Sequence, residues 1–119
     1  MEKIQIYKKT SDKGIEAERN ARVFLEKKGY TFVDKNIKYR FGELDLIMYY
    51  KKSYVFVEIK YRSSEKYGGS TAAITHSQRQ RLIKAANRYM QLKKINCPAR
   101  FDFIGIDSEK IIWIQNAFY

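Results

Sequence analysis

Two consecutive β-strands with charged residues among their apolar ones constrain this chain most. The stretch FGELDLIMYYKKSYVFVEIKYR, residues 41–62, contains runs of Leu, Ile and Val that are typical of strands buried in a sheet. Those runs are interrupted by four charged residues, Glu43, Asp45, Glu58 and Lys60. Charged side chains are rarely buried without a partner, so this stretch needs a structural or functional reason for its charges.

The charged residues are predicted to lie on one face of each strand, because successive strand residues alternate between the two faces of a sheet. In the first strand the alternation predicts that Glu43, Asp45 and Ile47 share one face, and that three other apolar residues share the opposite face: Leu44, Leu46 and Met48.

The register of the two strands decides which charges meet. A turn centred on residues 51–52 would set Asp45 opposite Glu58 and Glu43 opposite Lys60. Directly opposed residues have Cβ atoms roughly 4.5–5.5 Å apart, where two carboxylates repel unless something positive lies between them. A slip of the turn would change this register, since Lys-Lys is a poor two-residue turn.

The opposed carboxylates predict a divalent-cation site. Mg²⁺ is held by one or two carboxylates, and its remaining positions are left to water and substrate phosphate. Lys60, on the same face as Glu58, can orient an attacking water or stabilise charge on a phosphate, which suits hydrolysis of a phosphodiester. The alternative is a surface ladder with a Glu43–Lys60 salt bridge and solvated Asp45 and Glu58. The like-charged pair argues against that alternative.

The remaining sequence predicts an α/β (α+β) fold, a mixed sheet of about five strands flanked by two main helices. Residues 1–119 are expected to form a single domain with its core at about residues 12–107. The helices are expected at about residues 12–28 and 77–93, with Gly29 ending the first and a loop at residues 63–70. The strands are expected at about residues 30–39, 44–50, 54–61, 100–106 and 110–119.

Each predicted helix has an inward stripe at three- and four-residue spacing, and one polar residue on or beside each stripe is notable. The first stripe is expected to contain Gly14, Ala17, Glu18, Ala21, Phe24, Leu25 and Lys28, and the second Leu82, Ala85, Ala86, Tyr89 and Met90. Glu18 shares the stripe of Ala21, and it either contributes to the cation site or pairs with an arginine or a backbone group. Gln78 lies four residues before Leu82 on the second stripe, but with Thr75 it also fits a capping box. A role at the site and a purely capping role are both left open for Gln78.

The charge of the chain favours a polyanionic partner. Its 24 Lys and Arg residues against 13 Asp and Glu residues give a net charge of +11, which favours nucleic acid over an anionic membrane surface. We expect DNA before RNA, read by shape or backbone, since little chain is left for a base-reading domain. Six residues are candidate phosphate contacts and otherwise plain solvated charges: Arg62, Lys66, Arg79, Arg81, Lys84 and Arg88.

Several classes of protein are disfavoured. With Cys97 as the single cysteine, neither a disulfide within the chain nor a cysteine-based zinc site is possible. No G-x-S-x-G motif accompanies His76, the single histidine, so a serine hydrolase is unsupported. No signal peptide or membrane-length apolar run is visible, so the expected location is the cytoplasm and no membrane partner is expected.

At this point the ordered residues resemble a known family. Asp45 followed by Glu58-Ile59-Lys60 resembles the PD-(D/E)xK nuclease motif. Across residues 14–106 the chain resembles the YraN-like family of small bacterial proteins. The segments that carry the resemblance are GIEAERNARVFLEKKGY, Asn36, GELDLI, VFVEIKYR, Gly69, RLIKAANRYM and RFDFIGI.

The resemblance implies a restriction-endonuclease-like fold, similar to archaeal Holliday-junction resolvases. It implies Asp45, Glu58 and Glu18 as metal ligands for Mg²⁺, with Mn²⁺ as a substitute, Lys60 as the catalytic lysine and Glu43 as an assisting acid. Relatives usually carry Lys where this chain has Gln78, a residue that some nuclease branches place near the site.

The expected function is therefore metal-dependent hydrolysis of phosphodiester bonds in DNA, in particular structured or branched DNA. A homodimer is a further expectation, because cutting both strands at once calls for two active sites. The alternative is a non-catalytic nucleic-acid-binding protein on a nuclease-like scaffold, since fold does not fix function.

Overall fold

A mixed five-stranded sheet lies between two helices in the computed structural model of the chain. The structure describes residues 2–62, 74–107 and 110–117, without the side chains of residues 2–13, 62 and 107. The elements are α1 (Glu2–Glu26), β1 (Thr31–Tyr39), β2 (Gly42–Tyr50), β3 (Ser53–Arg62), α2 (His76–Leu92), β4 (Ala99–Asp107) and β5 (Lys110–Ile114).

The strands lie in the sheet in chain order. Strands β1, β2 and β3 form an antiparallel meander, β4 is parallel to β3, and β5 returns antiparallel to β4. The predicted fold class, a mixed sheet with two flanking helices, is confirmed.

Each face of the sheet is covered by one helix. Helix α1 packs Ala17, Ala21 and Leu25 on one face, and α2 packs a second stripe that includes Leu82 and Ala85 on the other. The small residues at these contacts let each helix approach the sheet closely, so that the large strand residues are fully covered. The predicted stripe of α2 is confirmed, and that of α1 is confirmed from Ala17 to Leu25, while Gly14 and Lys28 at its ends are exposed.

Two predicted boundaries are wrong. Helix α1 begins at Glu2, about ten residues before the predicted start, because an apolar stripe indicates that a helix is present but does not fix its first residue. Strand β5 ends at Ile114, before the left-handed Asn116 (φ 53°), whose backbone N–H donates to Asp102. The predicted loop with Lys66 lies outside the described residues.

The predicted hairpin register is confirmed wherever β2 and β3 are paired through their backbones. The pairs run from Tyr50 with Ser53 to Leu46 with Val57. The two-residue turn is formed because Lys51 (φ 48°) and Lys52 (φ 69°) both adopt the left-handed conformation that a type I′ turn requires.

The predicted alternation along β2 fails at one residue, Asp45. Leu44 packs on the α2 side of the sheet, whereas Leu46 packs on the α1 side. The ladder to β1 skips the position where Asp45 would face Asn36, which is left-handed (φ 52°), and the ladder to β3 ends at Leu46. Strands β2 and β3 therefore separate at Asp45, which borders both faces of the sheet.

Within residues 2–62, 74–107 and 110–117, neither helix has the length and apolar character that crossing a membrane requires.

Candidate active site

Asp45 lies where the backbone ladder between β2 and β3 ends. Its Oδ2 accepts a hydrogen bond from the backbone N–H of Ile59 at 3.0 Å. The carboxylate thus supplies the acceptor that a backbone carbonyl would supply in an unbroken ladder, and it satisfies a part-buried donor. This bond holds the side chain of Asp45 between the separating strands.

Glu58 lies next to Asp45 at the point where β2 and β3 separate, which we call the strand fork. The pKa values of these two acids are unusual. Burial, with the nearby charge of Asp45, raises the pKa of Glu58 to about 8. Burial also raises the pKa of Asp45, against the lowering effect of the Ile59 N–H. With a pKa of about 8, Glu58 keeps its proton near neutral pH beside the Asp45 carboxyl, so the pair does not carry two full negative charges.

Lys60 completes this cluster from the same strand as Glu58. Its Nζ lies 3.4 Å from Glu58 Oε2, and the two side chains are only 22% and 13% exposed. A cross-strand salt bridge between Glu43 and Lys60 is not formed, and Glu43 is exposed. The surface-ladder alternative is therefore wrong, because the acids are paired and largely buried rather than solvated.

The acid pair borders a cavity of about 350 Å³ on the α2 side of the sheet. Glu43 and Gln78 line the same cavity, as do two cations, Arg40 from the turn between β1 and β2 and Arg81 from α2. The turn lies directly against α2: a Cβ on Gly42 would come within 2.7 Å of the Arg81 carbonyl oxygen. Only glycine fits at this position without a shift of backbone.

Sequence reasoning missed Arg40 at this cavity. The available signal was its place in the turn, two residues before the Gly-Glu-Leu-Asp segment that carries the first two acids. Its convergence with Arg81 depends on the packing of the turn against α2, which no local pattern reports.

Gln78 caps the start of α2 and also lines the acidic cavity. Its backbone N–H donates to Thr75 Oγ1 at 3.1 Å, and its Oε1 accepts from the Thr75 N–H at 3.0 Å. The capping box is thus confirmed, while the same side chain lines the acidic cavity. A catalytic role for Gln78 stays a prediction.

Glu18 approaches Asp45 from the other side of the sheet. The two residues line a separate cavity of about 210 Å³ together with Asn36 and Ile59. Glu18 Oε1 accepts from Asn36 Nδ2 at 3.3 Å, and its Oε2 is buried with no partner among the described residues. The predicted inward orientation is confirmed, but the partner is an asparagine rather than an arginine or a backbone group.

The donor set fits a two-carboxylate cation site. Asp45 and Glu58 carry adjacent carboxyl oxygens, and a bound cation would remove the repulsion between them. Water would fill the remaining coordination positions, and Lys60 would stay beside the Glu58 carboxylate. Glu18 lies in the second cavity, and the described residues contain no group of three His, Cys, Asp or Glu close enough to hold a metal. The predicted third ligand therefore stays a prediction.

The predicted phosphate contacts fall mostly on α2. The four candidates on α2 are all exposed: Arg79, Arg81, Lys84 and Arg88. Arg81 lines the cavity, and Arg88 donates a hydrogen bond to Gln91. The side chains of Arg62 and Lys66 lie outside the described residues.

Comparison with known proteins identifies the family. Residues 17–106 match the model described as "Uncharacterised protein family UPF0102". UPF0102 proteins from Shewanella baltica and Shewanella denitrificans are 48% and 50% identical over 105 residues, which cover 88% of this chain and 97% of each relative. A UPF0102 protein from Shewanella pealeana is 44% identical over 110 residues, which cover 92% of this chain and 98% of the relative. The YraN-like resemblance is thereby confirmed, and the chain belongs to the UPF0102 family.

Proposed function

We propose that this protein is a metal-dependent endonuclease that hydrolyses phosphodiester bonds of DNA, with structured or branched DNA as its substrate. The observation that carries the proposal is the pair of Asp45 and Glu58, two largely buried acids held against each other at the strand fork. Like charges in contact are destabilising, and functional sites are where such penalties are expected.

Asp45 and Glu58 are the residues that would hold Mg²⁺, or Mn²⁺ in its place. When bound, the ion would neutralise charge on the phosphodiester and lower the pKa of an attacking water. Binding requires Glu58 to release the proton that it holds with a pKa of about 8, so cation affinity should rise with pH.

The cations around the cavity would bind and orient the substrate. Lys60, at 3.4 Å from Glu58, can donate to a phosphate oxygen when the acid pair is engaged by an ion. Arg40 and Arg81 line the cavity that the two acids border, and they suit contacts to the phosphates on either side of the bond to be cut. The net charge of +11 adds attraction for the polyanion over the whole surface.

Cleavage of supercoiled plasmid and of four-way-junction DNA in Mg²⁺ or Mn²⁺ tests the proposal. We expect activity in the native protein and its loss in Asp45→Ala and Glu58→Ala. Glu26→Ala is the matched control, because Glu26 is an exposed acid paired with Arg22 on α1. Activity that survives in both site variants would refute the assignment of the site.

A non-catalytic nucleic-acid-binding function is the second candidate. One observation favours it: no three His, Cys, Asp or Glu side chains among the described residues are placed so that they could hold a metal together. It predicts salt-sensitive DNA or RNA binding, no heat of binding on titration with Mg²⁺ or Mn²⁺, and no cleavage of any substrate.

A further inference from the structure

An exposed aromatic residue, Phe41, stands at the mouth of the acidic cavity. We propose that Phe41 and Tyr39 form a stacking platform for an unpaired DNA base, so that the site prefers DNA with an unpaired nucleotide beside the bond to be cut. This inference rests on the proposed function and specifies its substrate class.

Phe41 is unusual among the rings of this protein. It is 39% exposed, and every other Phe, Tyr or Trp whose side chain the structure describes is buried or half-buried. Its ring stacks on that of Tyr39, with centroids 5.6 Å apart and planes inclined by 20°. Tyr39 in turn packs against the core beneath α2, so the buried ring supports the exposed one, and the exposed part of Phe41 is available to a ligand.

The platform is held at a fixed place relative to the acids. Tyr39, Arg40 and Phe41 line the same cavity as Asp45 and Glu58. The following residue, Gly42, lies so close to α2 that even a methyl group would meet the Arg81 carbonyl. A base on the platform would therefore lie next to a phosphate that Arg40 and Arg81 can reach.

An aromatic face beside a guanidinium is the combination that proteins use for single-stranded nucleic acid. In a continuous duplex each base is covered on both faces by its neighbours, so it has no face to offer to Phe41. Only an unpaired or terminal base gains from stacking there. The alternative is that the two rings merely stabilise the turn, in which case any apolar side chain at residue 41 would serve.

Binding without divalent ions separates these alternatives, because no strand is cut. The probes are a fluorescein-labelled duplex with a short single-stranded gap and the same duplex fully paired, with 2-aminopurine placed in the gap. The variants are Phe41→Ala, Phe41→Leu and Phe41→Trp. Leu92→Ala is the control, since Leu92 is an exposed apolar residue (53%) at the end of α2 that does not line the cavity.

We expect the native protein to prefer the gapped duplex by about tenfold and to quench the 2-aminopurine. Phe41→Ala and Phe41→Leu should each lose about tenfold on the gapped probe and change by less than about twofold on the paired one. Phe41→Trp and Leu92→Ala should bind as the native protein does. Thermal unfolding of each variant would verify that the exposed position leaves the fold intact.

Equal weakening on both probes, or native binding by Phe41→Leu, would overturn the inference. Cleavage that depends on Asp45 without a preference for gapped DNA would remove the platform and leave the proposed function. A gap preference that depends on Phe41, without cleavage of any probe in Mg²⁺, would remove the proposed function and leave the platform.

Discussion

Two regions of this protein hold carboxylates away from solvent, and they have opposite character. Asp102 on β4 is fully buried and accepts four hydrogen bonds: two from the Arg100 guanidinium at 2.9 and 3.1 Å, one from Trp113 Nε1 at 2.9 Å and one from the Asn116 N–H at 3.0 Å. Asp45 and Glu58 on β2 and β3 have mainly each other, one backbone N–H and Lys60.

The difference shows that burial of a carboxylate is by itself no sign of function. Asp102 is paired and saturated, and through Trp113 and Asn116 it ties β5 and the turn after it to β4. The fork pair instead keeps a proton where two anions would repel, and it opens into a cavity. A bound cation would relieve the repulsion between the acids at the fork, whereas the hydrogen-bonding positions of Asp102 are already filled by the protein.

The largest effect should come from breaking the saturated cluster. Asp102→Ala removes the carboxylate that pairs with the Arg100 guanidinium and accepts from the Trp113 indole N–H, and loss of one partner of a buried ion pair costs about 3–5 kcal/mol. Chemical denaturation should show a loss of this size. In Asp45→Asn, which keeps an acceptor for the Ile59 N–H, the loss should be much smaller; equal losses in the two variants would contradict the comparison.

The pH dependence of stability should come from the fork. Glu58 has an ordinary pKa of 4.5 and a folded-state pKa of about 8, so the folded state binds its proton more tightly than the unfolded state does. Its contribution is complete below pH 4.5 and is lost as the pH rises through about 8, and the raised pKa of Asp45 acts in the same direction. We expect the free energy of unfolding to fall by about 2 kcal/mol over this range, less than the full shift because water in the cavity screens the pair.

Denaturation at a series of pH values in the absence of divalent ions measures this fall. Glu58→Gln should flatten the profile, because the amide stands in for the protonated acid. Glu16→Gln, which changes an exposed acid on α1 outside the cavity, is the control and should leave the profile unchanged. A native profile as flat as that of Glu58→Gln would mean that the two acids do not interact as described.

The parts of the site that could be predicted from the sequence are those set by local rules. The register from Tyr50 to Leu46 follows from a two-residue turn and strand alternation, and it brings Asp45 toward Glu58. The separation of the strands at Asp45 could not be predicted, because it accompanies a left-handed Asn36 on a different strand. The place of Phe41 likewise depends on the contact of Gly42 with α2, a tertiary contact without a sequence period.

The smallest expected effect separates structure from function at a single residue, Gln78. Thr75→Ala and Gln78→Ala each remove one of the two capping bonds at the start of α2, and each should lower the free energy of unfolding by about 1 kcal/mol or less. Because Gln78 also lines the acidic cavity and Thr75 does not, the two variants are matched in stability but not in position. If Gln78 serves only as a cap, the two variants will cleave DNA equally well at a temperature where both are folded. A cleavage rate that falls in Gln78→Ala alone assigns the side chain to the site, and recovery in Gln78→Lys would show that a cation at this position does the same work.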